Sequence, residues 1–298
     1  MDWNLRRSLL STRVSSVKYG VNQLIRRGIM GQKMGNAPVY FTVAQVRFNP
    51  VLNLETYLPS IQEAMRSAGF PDFRRGELQQ IVMPFGSVGE GAQAAPSVLK
   101  QSRFIFGNVE ETASFVLEGN ALAFQTTEYD IFETFSSVFL KGVGIVHDAL
   151  GLSFFERIGL RFLDAVLPDA NETVADYLHP EVLGLSQKLA GLSHSFTETL
   201  TVNDLVHTVS RVVIQNGKVG LPQDLAMLAP KINGKFTSHD GVHAVLDTDS
   251  FYEIRRSFNL KDIETILFDQ KKSIKKSFDA TVKDHALSVW KAEGYEKC

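Results

Sequence analysis

One strand constrains this chain more than any other stretch: Ser153-Phe-Phe-Glu-Arg-Ile-Gly-Leu-Arg-Phe-Leu163. A strand sends successive side chains to opposite faces. Phe154, Glu156, Ile158, Leu160 and Phe162 are therefore expected on one face, and Phe155, Arg157, Gly159, Arg161 and Leu163 on the other. Two arginines flanking a glycine form either an anion-contacting surface or a pair of structural ion-pair partners. In the second case Glu156, in the apolar row, needs a partner of its own if it is buried. Nothing in the stretch reads as a nucleophile, a metal site or a phosphate loop.

The surrounding pattern supplies the rest of a sheet. Pro38 to Pro50 is β-branched and aromatic and closes on Asn49-Pro50, a turn signal. Leu54, Leu58, Ile61 and Met65 recur at helical spacing, and Gly69-Phe70-Pro71 stops that helix. Strands are expected over 77–85, 103–106, 112–117 and 122–126, the last two joined by Glu118-Gly119-Asn120. Asp130 is placed to cap a helix that runs to Leu150 and ends at Gly151. Residues 37–168 thus read β-α-β-β-β-β-α-β.

Asp169 to Asp176 is an acidic joint and the expected lobe boundary. Beyond it come a short helix over 180–192, strands over 196–202 and 207–214 with Asn216-Gly217 as a turn, a strand over 242–247, and a helix from Leu260 to Trp290. The lysines at 271, 272, 275, 276 and 283 read as its solvated side. Asp130-Ile-Phe-Glu-Thr-Phe135 is echoed by Asp262-Ile-Glu-Thr-Ile266, a faint internal repeat. The expected fold is α+β: an N-terminal lobe over 37–170 and a C-terminal lobe over 171–298, each a mainly antiparallel sheet with helices on one face, related by an internal duplication.

Charge separates the start of the chain from the rest. Residues 1–36 hold seven basic side chains, Arg6, Arg7, Arg13, Lys18, Arg26, Arg27 and Lys33, against Asp2, a net of +6. The whole chain nets −2, so residues 37–298 net −8. The basic stretch is read as a poorly ordered extension, with Met30 and Met34 standing just before the first strand; a nucleic-acid-binding arm and a transit peptide are the other readings. No uninterrupted apolar run approaches the roughly eighteen residues of a membrane span, and no secretory signal opens the chain. The one cysteine, Cys298, excludes an internal disulfide and a cysteine zinc site. Together these features suggest a cytoplasmic protein.

Candidate chemistry is sparse. Gly86, Gly89 and Gly91 precede no Lys-Ser/Thr pair and no helix, so they do not make a phosphate cradle. His239, Asp240 and His243, with Asp247 and Asp249, could ligate a metal, but the surrounding Gly-Val-His-Ala-Val argues for turn and strand. Ser195 with His194 or His207 lacks the Gly-x-Ser-x-Gly elbow of a nucleophile. No catalytic residue, cofactor site or metal ligand is assigned. The candidate binding face is Arg47, Arg157 and Arg161.

Asn36-Ala-Pro-Val before a strand, the aromatic-rich helix after Tyr129, Arg157-Ile-Gly-Leu-Arg-Phe162 and a last helix ending near Trp290 together resemble a sporadically distributed bacterial family with no assigned activity. The likeness spans Asn36 to Trp290, and its most specific part is the Arg-Ile-Gly-Leu-Arg-aromatic strand. Phe162 stands where the family pattern has Tyr, and Leu163-Asp164 replaces Ile-Asn. The resemblance implies an accessory context of the kind shared by mobile-island and defence genes, and it implies no mechanism. Three functions are carried forward: a non-enzymatic binding or assembly component with a protein partner, a nucleic-acid binder using an arginine and aromatic sheet face, and an enzyme of unrecognised type. The net −8 disfavours nucleic acid.

Overall fold

A computed structural model describes residues 35–82, 97–226 and 229–291. The extension through Met34, the glycine loop over 86–96 and Cys298 lie outside the described residues.

Among the described residues ten strands form one antiparallel sheet. In chain order they are β1 (Val39–Phe48), β2 (Asp72–Val82), β3 (Ser97–Gly107), β4 (Ala113–Glu118), β5 (Ala121–Thr126), β6 (Phe154–Val166), β7 (His194–Asn203), β8 (Val206–Lys218), β9 (Asp240–Tyr252) and the short β10 (Arg256–Ser257). Across the sheet the order is β2-β3-β4-β5-β1-β6-β9-β8-β7, with β10 beside β6. The fold is α+β, and the two expected sheets are parts of one, joined where β6 of the N-terminal lobe pairs with β9 of the C-terminal lobe. Counted from the β1–β6 pair, the sheet runs β1, β5, β4, β3, β2 to one side and β6, β9, β8, β7 to the other. These two sides share a strand order, but they are not the expected lobes, since β6 lies in the N-terminal one.

Four longer helices accompany the sheet: α1 (Leu58–Ser67), α2 (Phe132–Leu150), α3 (Leu260–Thr281) and α4 (Asp284–Lys291). They pack on one face, because their apolar stripes and alternate strand residues meet there. Ile61 and Met65 of α1, Phe139 and Val143 of α2, and Ile263 and Leu267 of α3 share a core with Ala44, Val46, Ile158 and Leu160. Close approach is built in at Gly142, where an added Cβ would stand 2.2 Å from the Phe115 ring. A second cluster sets Val212, Ile214 and Leu246 against Tyr177, Ala286 and Trp290.

Local expectations meet specific corrections. Gly151 ends α2 in the left-handed conformation, φ 62°, as a glycine past a helix end does. The N-cap of α2 is Ile131 and not Asp130, with no side-chain cap bond. Asn216-Gly217 is no turn: both residues pair with β9 inside β8, and the chain reverses earlier, at Asp204-Leu205. Long pairing to β9 outweighs the local turn preference, and Asp204 takes the positive φ of 52° that the two-residue reversal requires. The expected single helix to Trp290 breaks at Val282, which is extended and bridges Leu178, while Lys283 N–H donates to the Tyr177 carbonyl. The 180–192 helix reduces to a 3-10 turn over Pro180–Val182.

Candidate functional site: the open face of the sheet

Strand alternation puts Val43, Gln45 and Arg47 of β1 on the face away from the long helices, beside Arg157, Gly159 and Arg161 of β6. One end of this open face is covered by the chain between β8 and β9. Val219 and Phe236 pack there on Phe41, Leu163 and Val245, and the Tyr40 hydroxyl donates to the Gly220 carbonyl at 2.8 Å. Burial raises the Tyr40 pKa well above its ordinary value, helped by the nearby negative charge of Asp247 and Asp164.

The three sequence-predicted arginines share this face and do different things. Arg47 and Arg157 are direct cross-strand partners. A register shift between Arg47 and Phe48 then sets Phe48 against Phe155, so Glu156 is the extra residue of a bulge. The bulge breaks the expected two-residue period. Phe155 joins the helix-side core, and Glu156, expected in the apolar row, instead lies 3.7 Å from Arg47 and accepts from Arg255 at 3.2 Å. Arg157 donates to the Gln45 side chain at 3.3 Å, and its guanidinium sits 5.2 Å from the Phe251 ring centroid. Phe251 in turn stacks on His207, 5.1 Å between centroids. Gly159 leaves room for this arrangement, since a Cβ there would meet the Arg157 guanidinium at 3.2 Å.

Arg161 belongs to a tighter network. Nε and Nη2 donate to the two oxygens of Asp247 at 2.6 and 2.7 Å, and Nη1 donates to Asp224 at 2.6 Å. This paired, two-pronged geometry is the strong form of an arginine–carboxylate contact. Arg161 and Asp247 are nearly buried, at 12% and 6% side-chain exposure. Burial pushes the Arg161 pKa down, but the bonds and charges of Asp247 and Asp224 outweigh it, and the net shift is upward. Arg211 stands on the far side, donating to Glu198 at 2.7 Å and lying 3.7 Å from Asp247.

Between this network and the Gly220–Asp224 segment lies a cavity of about 570 Å³. Its wall is apolar, with Phe196, Val213, Val245 and Leu221, and its floor is charged. Asp249 lines it and makes no hydrogen bond or ion pair among the described residues. Burial raises the Asp249 pKa against the opposing charges of Arg161 and Arg157. A concave site of this size with converging polar groups beside an apolar wall has the form of a recognition site.

The remaining sequence candidates are not brought together. His243 is fully buried, with Nδ1 against the Gly241 carbonyl and Nε2 against the Gln215 amide. Asp247 is committed to Arg161, and among the described residues no group of three or more His, Cys, Asp or Glu side chains is placed to hold a metal. Ser195 and His207 sit at opposite ends of the β7–β8 hairpin, opposite Ile214 and Val202 respectively. Sequence reasoning named Asp249 only as a possible metal ligand and missed Asp224, Arg211 and Phe251. The expected strand 242–247 stopped short of Asp249 and Phe251; its period carried on to Tyr252, beside that of 207–214, sets Arg211, Asp249 and Phe251 on one face, whereas Asp224 arrives on a single helical turn, Gln223–Ala226, that carries no such signal.

Comparison with known proteins finds no matching family model, no matching curated protein and no matching solved structure. No helix of the described residues is long and apolar enough to cross a membrane.

Proposed function

We propose that the protein is a non-enzymatic binding component of a bacterial accessory system, in keeping with the resemblance carried by Arg157–Phe162, and that it holds a protein partner on the open face of its sheet. The observation that carries this reading is the composition of that face. Arginines alternate there with carboxylates, Arg47 with Glu156 and Arg161 with Asp247, around the partly exposed Arg157–Phe251–His207 row. Next to that row, Phe196, Leu200 and Val202 are each more than half exposed. A surface of interleaved charge with aromatic and aliphatic anchors suits a folded protein partner, whose own surface is mixed.

The Arg157–Phe251–His207 stack favours one second reading, a single-stranded nucleic acid held by stacking and phosphate contacts. The two readings part in one experiment. Tagged protein bearing Arg47→Glu and Arg157→Glu is compared with wild type, and with Arg66→Glu on the exposed side of α1, for capture of a partner from the native bacterium and for binding of labelled oligonucleotides. Loss of capture in the open-face variant alone supports the protein partner. Oligonucleotide binding that weakens steeply with salt, with a slope reduced by about 1 for each phosphate contact removed, supports the nucleic acid. Capture that is equal in all three proteins refutes the open face as the binding surface.

A further inference from the structure

β7 forms an outer edge of the sheet: it pairs with β8 along all ten of its residues, and among the described residues no strand lies beyond it. Such an edge presents unpaired N–H and C=O groups to any chain that can align with them, and natural sheets commonly blunt it with lysine, proline, a bulge or a cover. The opposite edge is defended in this way, since β2 begins Asp72-Phe-Arg-Arg, charged at three of four positions. β7 has no lysine, proline or bulge, and its defences are one charge, Glu198, and a contact on its helix side where Thr197 donates to the Val182 carbonyl at 2.7 Å. Its sequence is His-Ser-Phe-Thr-Glu-Thr-Leu-Thr-Val-Asn, its register to β8 is unbroken, and from Glu198 onward every residue is exposed.

The turn fixes which groups point outward. A two-residue reversal at Asp204-Leu205 makes Asn203 and Val206 a hydrogen-bonded pair. Alternation then directs the backbone groups of Ser195, Thr197, Thr199, Thr201 and Asn203 inward to β8. Those of Phe196, Glu198, Leu200 and Val202 point away from the sheet.

We propose that a second copy of this chain occupies that edge, β7 pairing antiparallel with its own counterpart about a two-fold axis at Thr199. The strand is close to self-complementary in this register. Phe196 falls opposite the partner subunit's Val202, Glu198 opposite the partner subunit's Leu200, and Thr197 opposite the partner subunit's Thr201. Threonines face threonines on the helix side, and on the open side the two Phe196–Val202 pairs flank two Glu198–Leu200 pairs. Shifting the axis to Glu198 would bring two carboxylates face to face, and shifting it to Leu200 would set Phe196 against Asp204. The paired sheet runs unbroken through both molecules, an isologous contact that closes at two copies. It also places the partner subunit's Val202 beside Phe196 at the rim of the cavity, so each copy completes the other's apolar wall.

The register supplies its own test. Thr199 stands at a non-hydrogen-bonded position on the axis, where opposed Cα atoms are about 4.5 Å apart, within disulfide reach. In full-length protein carrying Cys298→Ser, Thr199→Cys should form a covalent dimer on mild oxidation, while Thr197→Cys and Thr201→Cys alone should not and their mixture should. Light scattering should give twice the 33.1 kDa chain mass for wild type. Leu200→Glu, which opposes two acids, should give the single-chain mass while still melting cooperatively, at a temperature that no longer depends on protein concentration. Leu200→Lys, which opposes an acid with a base, should stay dimeric. A monomer at every concentration, a dimer that Leu200→Glu leaves intact, or equal cross-linking at all three threonine positions would overturn the proposal.

Discussion

Replacing Arg161 with methionine removes the cation from the most enclosed ion pair of the open face. Asp247 loses both of its short bonds, at 2.6 and 2.7 Å, and keeps only Arg211 at 3.7 Å. The exposed Asp224 returns to water, so its share of the loss is small. Breaking one side of a buried pair costs about 3 to 5 kcal/mol, most of it the penalty of leaving the other charge stranded. Urea unfolding at pH 7 should show a drop of about 3 to 5 kcal/mol for Arg161→Met with an unchanged slope. The double variant Arg161→Met, Asp247→Leu should recover most of it, because no uncompensated charge remains. Arg47→Met, whose side chain is 41% exposed, should lose less than about 1 kcal/mol. A loss below about 1 kcal/mol for Arg161→Met, or no recovery in the double variant, would refute the structural role assigned to the pair.

The other predictions rest on burial and topology. Asp249 is held in the cavity wall with its pKa raised, chiefly by burial; its folded form therefore binds a proton more readily than the unfolded chain, and stability falls as pH rises through that window. Asp249→Asn should raise the melting temperature at pH 8 and leave it unchanged at pH 4, and a lower melting temperature at pH 8 would refute this. Burial pushes the carboxyl of the buried Asp164 up from its ordinary 3.8 to about 7, outweighing the opposing charge of Lys271. The same sign applies, so Asp164→Asn should stabilise above pH 7 by at most about 4 kcal/mol and have no effect near pH 4, as read from urea unfolding across that range. Residues 37–170 and 171–298 expressed separately should each fail to melt cooperatively, since parting β6 from β9 exposes a seam of nine paired positions; a soluble half with a sharp transition would show that the seam is dispensable.

Most of the architecture was legible where a period runs uninterrupted. The strand over Pro38–Pro50, the α2 stripe and its Gly151 stop follow from side-chain alternation, helical spacing and the left-handed freedom of glycine. Sequence reasoning failed where tertiary pairing overrode a local signal. Asn216-Gly217 was drawn into the long β8–β9 ladder, and Val282 left the helix to bridge Leu178. The lysine run hid one exception: Lys271 is no solvated side chain but lies 4.3 Å from the Phe162 ring centroid, its pKa lowered by burial. The site was legible in part. The strand period put Arg157 and Arg161 on one face, but a bulge at Glu156 cannot be read from residue types, and the loop that brings Asp224 to Arg161 carries no period.

The seam between β1 and β6 also sets an order of events during synthesis. β1 leaves the ribosome first and is destined for the middle of the sheet, yet the strand that closes its second side begins at Phe154, more than a hundred residues later. At about 5 to 20 residues per second that interval is roughly 5 to 20 s. For most of that time neither neighbour of β1 has been made, and after β5 appears the other edge of β1, Val43-Ala-Gln-Val-Arg47, remains open to any neighbouring nascent chain. The strand most protected in the finished protein is therefore the one exposed longest while it is being made, and crowded polysomes translating this message are where misassembly between chains should begin.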